Sequence, residues 1–192
     1  LQLYIEKNQL ELQKAKRDDV RELINARSGS DSDGINLDIL ISTEAPQTAL
    51  TSGNLVATWK AGDRNYFHYK TNQRIIHFYP IVSAEYQVMR DTCIPFGNTS
   101  NKLVDLEIYY QKGHEYNLNR MMESMKMSLD YYSKYFSPYP YKQLRIVEFP
   151  RYRTFAQSLP GIIPFSEAIG FVMNIDDKKD VDMAFYVTAH EV

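Results

Sequence analysis

Cysteine is almost absent from this 192-residue sequence, in which Cys93 stands alone. A single thiol excludes an internal disulfide and a cysteine-built metal cage, and says little about redox compartment. Long apolar runs are missing too: no stretch reaches the length of about 18 residues that a membrane-crossing helix needs. The first residues also lack the pattern of a secretory signal. There is no excess of charge, since 22 basic and 24 acidic residues leave a formal net charge of −2. The basic residues are scattered, which removes the electrostatic footprint of a nucleic-acid partner or an anionic membrane surface. A Gly-rich phosphate loop and a Gly-x-Ser-x-Gly elbow are both lacking. Asp176, Asp177 and Asp180 come without the glycine and glutamate of a calcium loop, and read as solvated turn charges.

What is plentiful is aromatic surface. Fifteen tyrosines and nine phenylalanines bring the aromatic share to 13%, within a globular balance of 44% hydrophobic and 24% charged residues. The length suffices for one ordinary domain or two small ones with a real core.

Residues 1–27 are charged and rich in helix formers, with irregularly spaced apolar members, and predict a solvated helical connector, with a coiled-coil segment as the second reading. Residues 28–34, SGSDSDG, read as a linker. From Ile35 the period becomes two, as Ile35, Leu37, Ile39 and Ile41 alternate with polar neighbours. Further strands are expected over residues 54–59, 65–71, 74–79, 84–91 and 103–110, a succession that predicts an antiparallel sheet or sandwich. At Gly113 the pattern turns helical: Leu118, Met121, Met122, Met125, Leu129, Tyr132 and Phe136 recur on one face until Ser137 and Pro138 end it. The methionine stripe reads as adaptable core packing rather than a soft-metal site. A short strand over 143–149, a loop over 150–164, an extended apolar run over 169–173 and a helix over 181–192 follow, the last capped by Asp180 or Asp182. The expected organisation is a connector and linker over 1–34, an antiparallel β domain over 35–112 and a second domain over 113–192.

The closing helix carries His190 and Glu191. Alone, such a pair is a weak metal signal and reads as a surface or core contact. A helical zinc site needs a second histidine four residues on, so that both imidazoles share one face, and that position falls past Val192. A glutamate directly after the first histidine stands beside the metal, where it can take a proton from bound water. His68, His77 and His114 have no second ligand at metal spacing and read as structural.

The pair gains weight from its company. The run from Tyr66-Phe67-His68-Tyr69 to Ser83-Ala84-Glu85-Tyr86, the run from Tyr131 to Tyr141, Glu148-Phe149-Pro150, Phe165-Ser166-Glu167 and Thr188-Ala189-His190-Glu191 together resemble the entry to the catalytic domain of the aminopeptidase N family, a group of gluzincin zinc peptidases. Glu167 falls where that family carries the glutamate of its Gly-x-Met-Glu-Asn motif, but Ser166 holds the methionine place and Ala168 the asparagine place. The nearest flavour is that of bacterial proteins fusing such a peptidase region to an ABC-transporter permease.

The resemblance implies an α+β fold: an antiparallel β-sandwich-like domain, then the first α/β part of a thermolysin-like catalytic domain over 113–192, ending inside the metal-binding helix. It implies His190 as a zinc ligand, Glu191 as general base, and Glu167 as the anchor of the substrate's free amine. The parent is then a zinc aminopeptidase acting on peptides, tethered to a membrane only through any fused parts, while this piece is inactive and holds zinc weakly. The other open reading is a non-catalytic interaction or scaffolding domain of a membrane-associated transporter complex. The sequence leaves cellular location open.

Overall fold

The computed structural model describes residues 34–96 and 103–192. The helix expected over 1–27, and all of the linker but Gly34, lie outside the described residues.

Residues Ile35–Val192 form one compact unit. Alternation builds its first sheet, in which β1 (Asp38–Glu44), β4 (Arg64–Lys70) and β3 (Asn54–Ala61) pair antiparallel in the order β1-β4-β3. Gly62, at φ 61°, turns the chain from β3 into β4 in a conformation that a side chain disfavours. A two-stranded antiparallel sheet joins β2 (Thr48–Thr51) to β5 (Ile81–Ala84).

The third sheet has four strands in the order β6-β7-β8-β9: Gln87–Cys93, Val104–Tyr110, Gln143–Phe149 and Ile162–Ser166. β6 and β7 are antiparallel, whereas β7, β8 and β9 run parallel. A parallel neighbour requires a long crossover, and α1 (Leu118–Tyr135) supplies it between β7 and β8. After β9 come a 3₁₀ turn (Glu167–Ile169) and α2 (Met183–Glu191). This sheet takes strands from both sides of residue 112, so the two halves of the sequence share one hydrogen-bonded layer.

Both faces of the sheet are covered, which is why every residue of β8 is buried. On one face Leu106, Ile108, Leu144, Ile146, Ile163 and Phe165 pack with Met121, Met125 and Leu129 of α1 and Ala184 of α2. The methionine stripe is therefore core packing. Met121 and Met125 are both fully buried, and burial of each contributes about 1.5–3 kcal/mol. On the other face Tyr109, Val147 and Ile162 meet Ala49, Leu50, Phe67 and Tyr69.

Four expectations are revised. The extended run expected over residues 169–173 is instead the end of the 3₁₀ turn and the turn after it. Residues 74–79, expected as a strand, form none; only Ile75 is buried, in a single bridge to Ile35, while Ile76 and Phe78 stay exposed. The strand expected over 84–91 divides into β5 and β6, which belong to different sheets. The segment read as a loop ends in β9, whose Pro164 is tolerated because β9 is the edge strand.

Candidate functional site

The parallel strands deliver three ionisable side chains to one place. His114 follows β7 by a turn, Glu148 lies near the end of β8, and Glu167 opens the 3₁₀ turn that follows β9. All three therefore sit at the carboxyl ends of adjacent parallel strands, the edge at which open sheets bind ligands. Among the described residues they form a group of metal-ligand type, with one donor atom from each within 4.8 Å of the others.

Each carboxylate is held by a backbone amide on its outer side. The Gln111 N–H donates to Glu148 Oε2 at 2.5 Å, and the Arg151 N–H donates to Glu167 Oε1 at 3.2 Å. That leaves Glu148 Oε1 hydrogen-bonded to His114 Nδ1, with Glu167 Oε2 4.0 Å from the same nitrogen. The Glu148 side chain is 1% exposed, against 19% for Glu167 and 28% for His114. Burial pushes the Glu148 carboxyl above its ordinary range; the bonds from His114 and the Gln111 amide oppose the shift, and the charge of Glu167 adds to it. Among the described residues the nearest side-chain cation, Arg151, reaches Glu167 only at 3.7 Å and is itself largely solvated. The pocket is thus rich in negative charge and short of positive charge.

His190 and Glu191 lie in the last turn of α2. That helix starts on Asp182, whose carboxylate accepts from the Phe185 N–H at 2.9 Å. It is docked on α1 by three kinds of contact: Ser124 Oγ donates to Phe185 O at 2.7 Å, Tyr132 Oη donates to Ala189 O at 3.0 Å, and Arg120 binds Asp182 at 2.7 Å. Its apolar side buries Ala184, with Thr188 bonded back to the Ala184 carbonyl. His190 is exposed, stacks on Tyr186 with ring centroids 6.4 Å apart, and joins no group of three metal-ligand residues among the described residues. One imidazole does not hold zinc, so the residues present at α2 do not by themselves make a zinc site. The helix does pack against the 3₁₀ turn of Glu167, which brings all three sequence candidates onto two neighbouring elements.

The motif around Glu167 is built for structure on one side. Ser166 is fully buried and donates to Arg153 O at 2.7 Å. Sequence reading picked out Glu167 but not its partners: His114 and Glu148 lie 53 and 19 residues before it in the chain, too far for any spacing rule. The usable clue was Glu148 itself, a carboxylate set between the apolar pair Ile146-Val147 and Phe149 in a strand. Of the other histidines, His68 is bound by Asp38 at 2.6 Å.

No protein-family model matches the chain, and none of the curated proteins matches it in sequence. Solved structures do match in fold. The chain superposes on a Legionella pneumophila aminopeptidase A, solved with aspartic acid, with a TM-score of 0.70 and 15% identity, over 81% of this chain and 19% of that one. It also matches a two-domain M1 zinc metallopeptidase variant bound to L-arginine, at TM-score 0.59 and 12% identity, over 84% of this chain and 34% of the other. A Deinococcus radiodurans M1 zinc metallopeptidase variant bound to a Tyr-Ser-Ala substrate gives 0.58 and 15%, over 70% and 31%. The chain thus spans about a third or less of the proteins it matches. At such identities the likeness is one of fold: a mixed, sheet-rich architecture similar to part of the M1 zinc aminopeptidases.

Proposed function

We propose that this chain is the entry region of a zinc-dependent aminopeptidase, which hydrolyses the first peptide bond of its substrates. The observation that carries the reading is the packing of the His190-Glu191 helix against the Glu167 turn, within a fold similar to that of M1 zinc metallopeptidases. Residues 35–112 supply the β part, of sandwich type, and residues 113–192 open the catalytic part; the two are joined through the β6-β7-β8-β9 sheet.

In this reading each residue has one task. Glu167, with Oε1 fixed by the Arg151 amide, offers Oε2 to a substrate ammonium, a charge-assisted bond that sets the first peptide bond in place and rejects internal sites. His190 is a zinc ligand, to be joined by ligands outside the described residues. Glu191, next on the helix, accepts a proton as general base. Zinc supplies Lewis acidity and an acidified water when bound.

The substitution of Ser166 and Ala168 into the motif favours a second reading, a non-catalytic scaffolding domain of a membrane-associated transporter complex, into which a fusion with a permease would fit. No helix among the described residues is long and apolar enough to cross a membrane.

A form of the protein carrying a complete catalytic domain decides between them. Stoichiometric zinc and hydrolysis of amino-acid arylamides are expected, with activity falling at least a hundredfold in Glu191→Gln while zinc is retained. A folded, metal-free and inactive protein overturns the peptidase reading and leaves the scaffold.

A further inference from the structure

We propose that His114, Glu148 and Glu167 form a divalent metal-ion site of their own, separate from His190. The site does not depend on the peptidase reading, and would stand in a scaffold as well.

Three observations converge on it. The donor set is one imidazole and two carboxylates, each from a different strand end, with the donor atoms within 4.8 Å of one another. Such a mixed nitrogen and oxygen set suits zinc and its borderline neighbours, and leaves further positions to water. Each carboxylate is also oriented from behind, by the Gln111 and Arg151 amides, so that its second oxygen turns toward His114. Backbone support of this kind is how proteins fix metal-binding carboxylates before the ion arrives. Finally, two carboxylates converge, with little side-chain cation beyond His114 to face them, where the Glu148 side chain is 1% exposed. Among the described residues the only facing side-chain cation other than His114 is the solvated Arg151, which reaches Glu167 at 3.7 Å. A buried excess of like charge is costly unless it is paired.

Access and fit are both reasonable. A surface cleft of about 610 Å³, lined by His114, Asn117, Arg120 and Met173, opens beside the histidine. Ligands about 2.0–2.2 Å from an ion need His114 Nδ1 and Glu148 Oε1 to part slightly and Glu167 Oε2 to close in from its 4.0 Å separation. Both moves are small side-chain adjustments. An ion so held takes up the Glu167 oxygen that a substrate ammonium would use, so metal and amine exclude each other there. The competing arrangement is a histidinium clamped between the two carboxylates with no ion at all.

The test uses the 192-residue chain carrying His190→Ala, freed of metal by chelation. Titration with Co²⁺ is expected to give one equivalent of bound ion with visible absorption bands, and Zn²⁺ should displace it and raise the melting temperature. Both His114→Asn and Glu148→Gln, added singly to that background, should weaken binding at least tenfold. His114 lies at the surface end of the cluster, and the side-chain amide introduced by Glu148→Gln can still accept from the Gln111 N–H, so at least one variant should keep the metal-free melting temperature. Absence of binding in the His190→Ala chain overturns the site and establishes the histidinium clamp. Binding that persists unchanged in His114→Asn and Glu148→Gln overturns it equally. Neither result bears on the peptidase reading, which is decided by Glu191→Gln in the longer form.

Discussion

Arg145 shows how far a single charged residue can tie this fold together. It is 5% exposed, in the middle of β8. Its Nε donates to Glu107 across the strand pair at 2.9 Å, its Nη1 donates to Gly53 O at 2.9 Å, and its guanidinium lies 5.6 Å from the centre of the Tyr69 ring. Glu107 also accepts from Arg90 and from Tyr109. Burial alone would raise the Glu107 carboxyl, but Arg145, with the bonds from Tyr109 and Arg90, outweighs it and holds the group below its ordinary value of 4.5. A carboxylate depressed in the folded state adds stability above that ordinary value and loses it as pH falls through the folded one. Glu107→Gln should therefore cost about 3 kcal/mol at pH 7 by leaving a buried guanidinium unpaired. Urea unfolding should show the gap between variant and wild type narrowing as pH falls below 4.5; a constant gap would mean that the carboxylate's charge contributes nothing.

Among the elements, α1 carries the sharpest contrast between positions of like chemistry. Met125 is fully buried against the sheet, whereas Met127, two residues on, is 55% exposed. Met125→Ala should cost about 2–5 kcal/mol, through lost transfer energy and the cavity left behind, and Met127→Ala less than about 0.5 kcal/mol. Equal effects in chemical denaturation would show that the helix does not dock as described. The same helix sets the position of α2 through Ser124, Tyr132 and Arg120. A weakened α1 should thus loosen the turn that carries His190 and Glu191 before it affects β8.

At the scale of the whole molecule, the β6-β7-β8-β9 sheet is common to both hydrophobic cores. Neither core can be completed without it, so residues 35–192 should unfold in one step. Trp59, in β3, reports on the first half of the sequence, and far-ultraviolet circular dichroism at helical wavelengths reports on α1 and α2 in the second. The two signals should give the same urea midpoint. Separate midpoints would mean that the boundary near residue 112 divides two independent folding units.

Local pattern was enough to place the elements whose side chains face one way or wholly inward. Alternation marked β1, turn signals set off β3 and β4, helical spacing marked α1, and the strand expected over residues 143–149 matches β8 to the residue, though it was expected to be partly buried and is buried throughout. Glu167, His190 and Glu191 were singled out because their neighbours in sequence resemble a family motif, and their roles belong to the proposed function. Tertiary structure decided the rest. Residues 74–79 are rich in β-branched and aromatic side chains like a strand but find only one bridging partner, and β9 looks like loop because its proline is acceptable only at an edge. The direction of pairing was invisible as well, since α1 returns the chain for the parallel β7–β8 pair and the loop over residues 150–161 does so for β8 and β9. The His114, Glu148 and Glu167 cluster follows from those two crossovers. Spacing along a chain can show residues that share a helix face, but residues that meet at the ends of three strands are brought together only by the sheet.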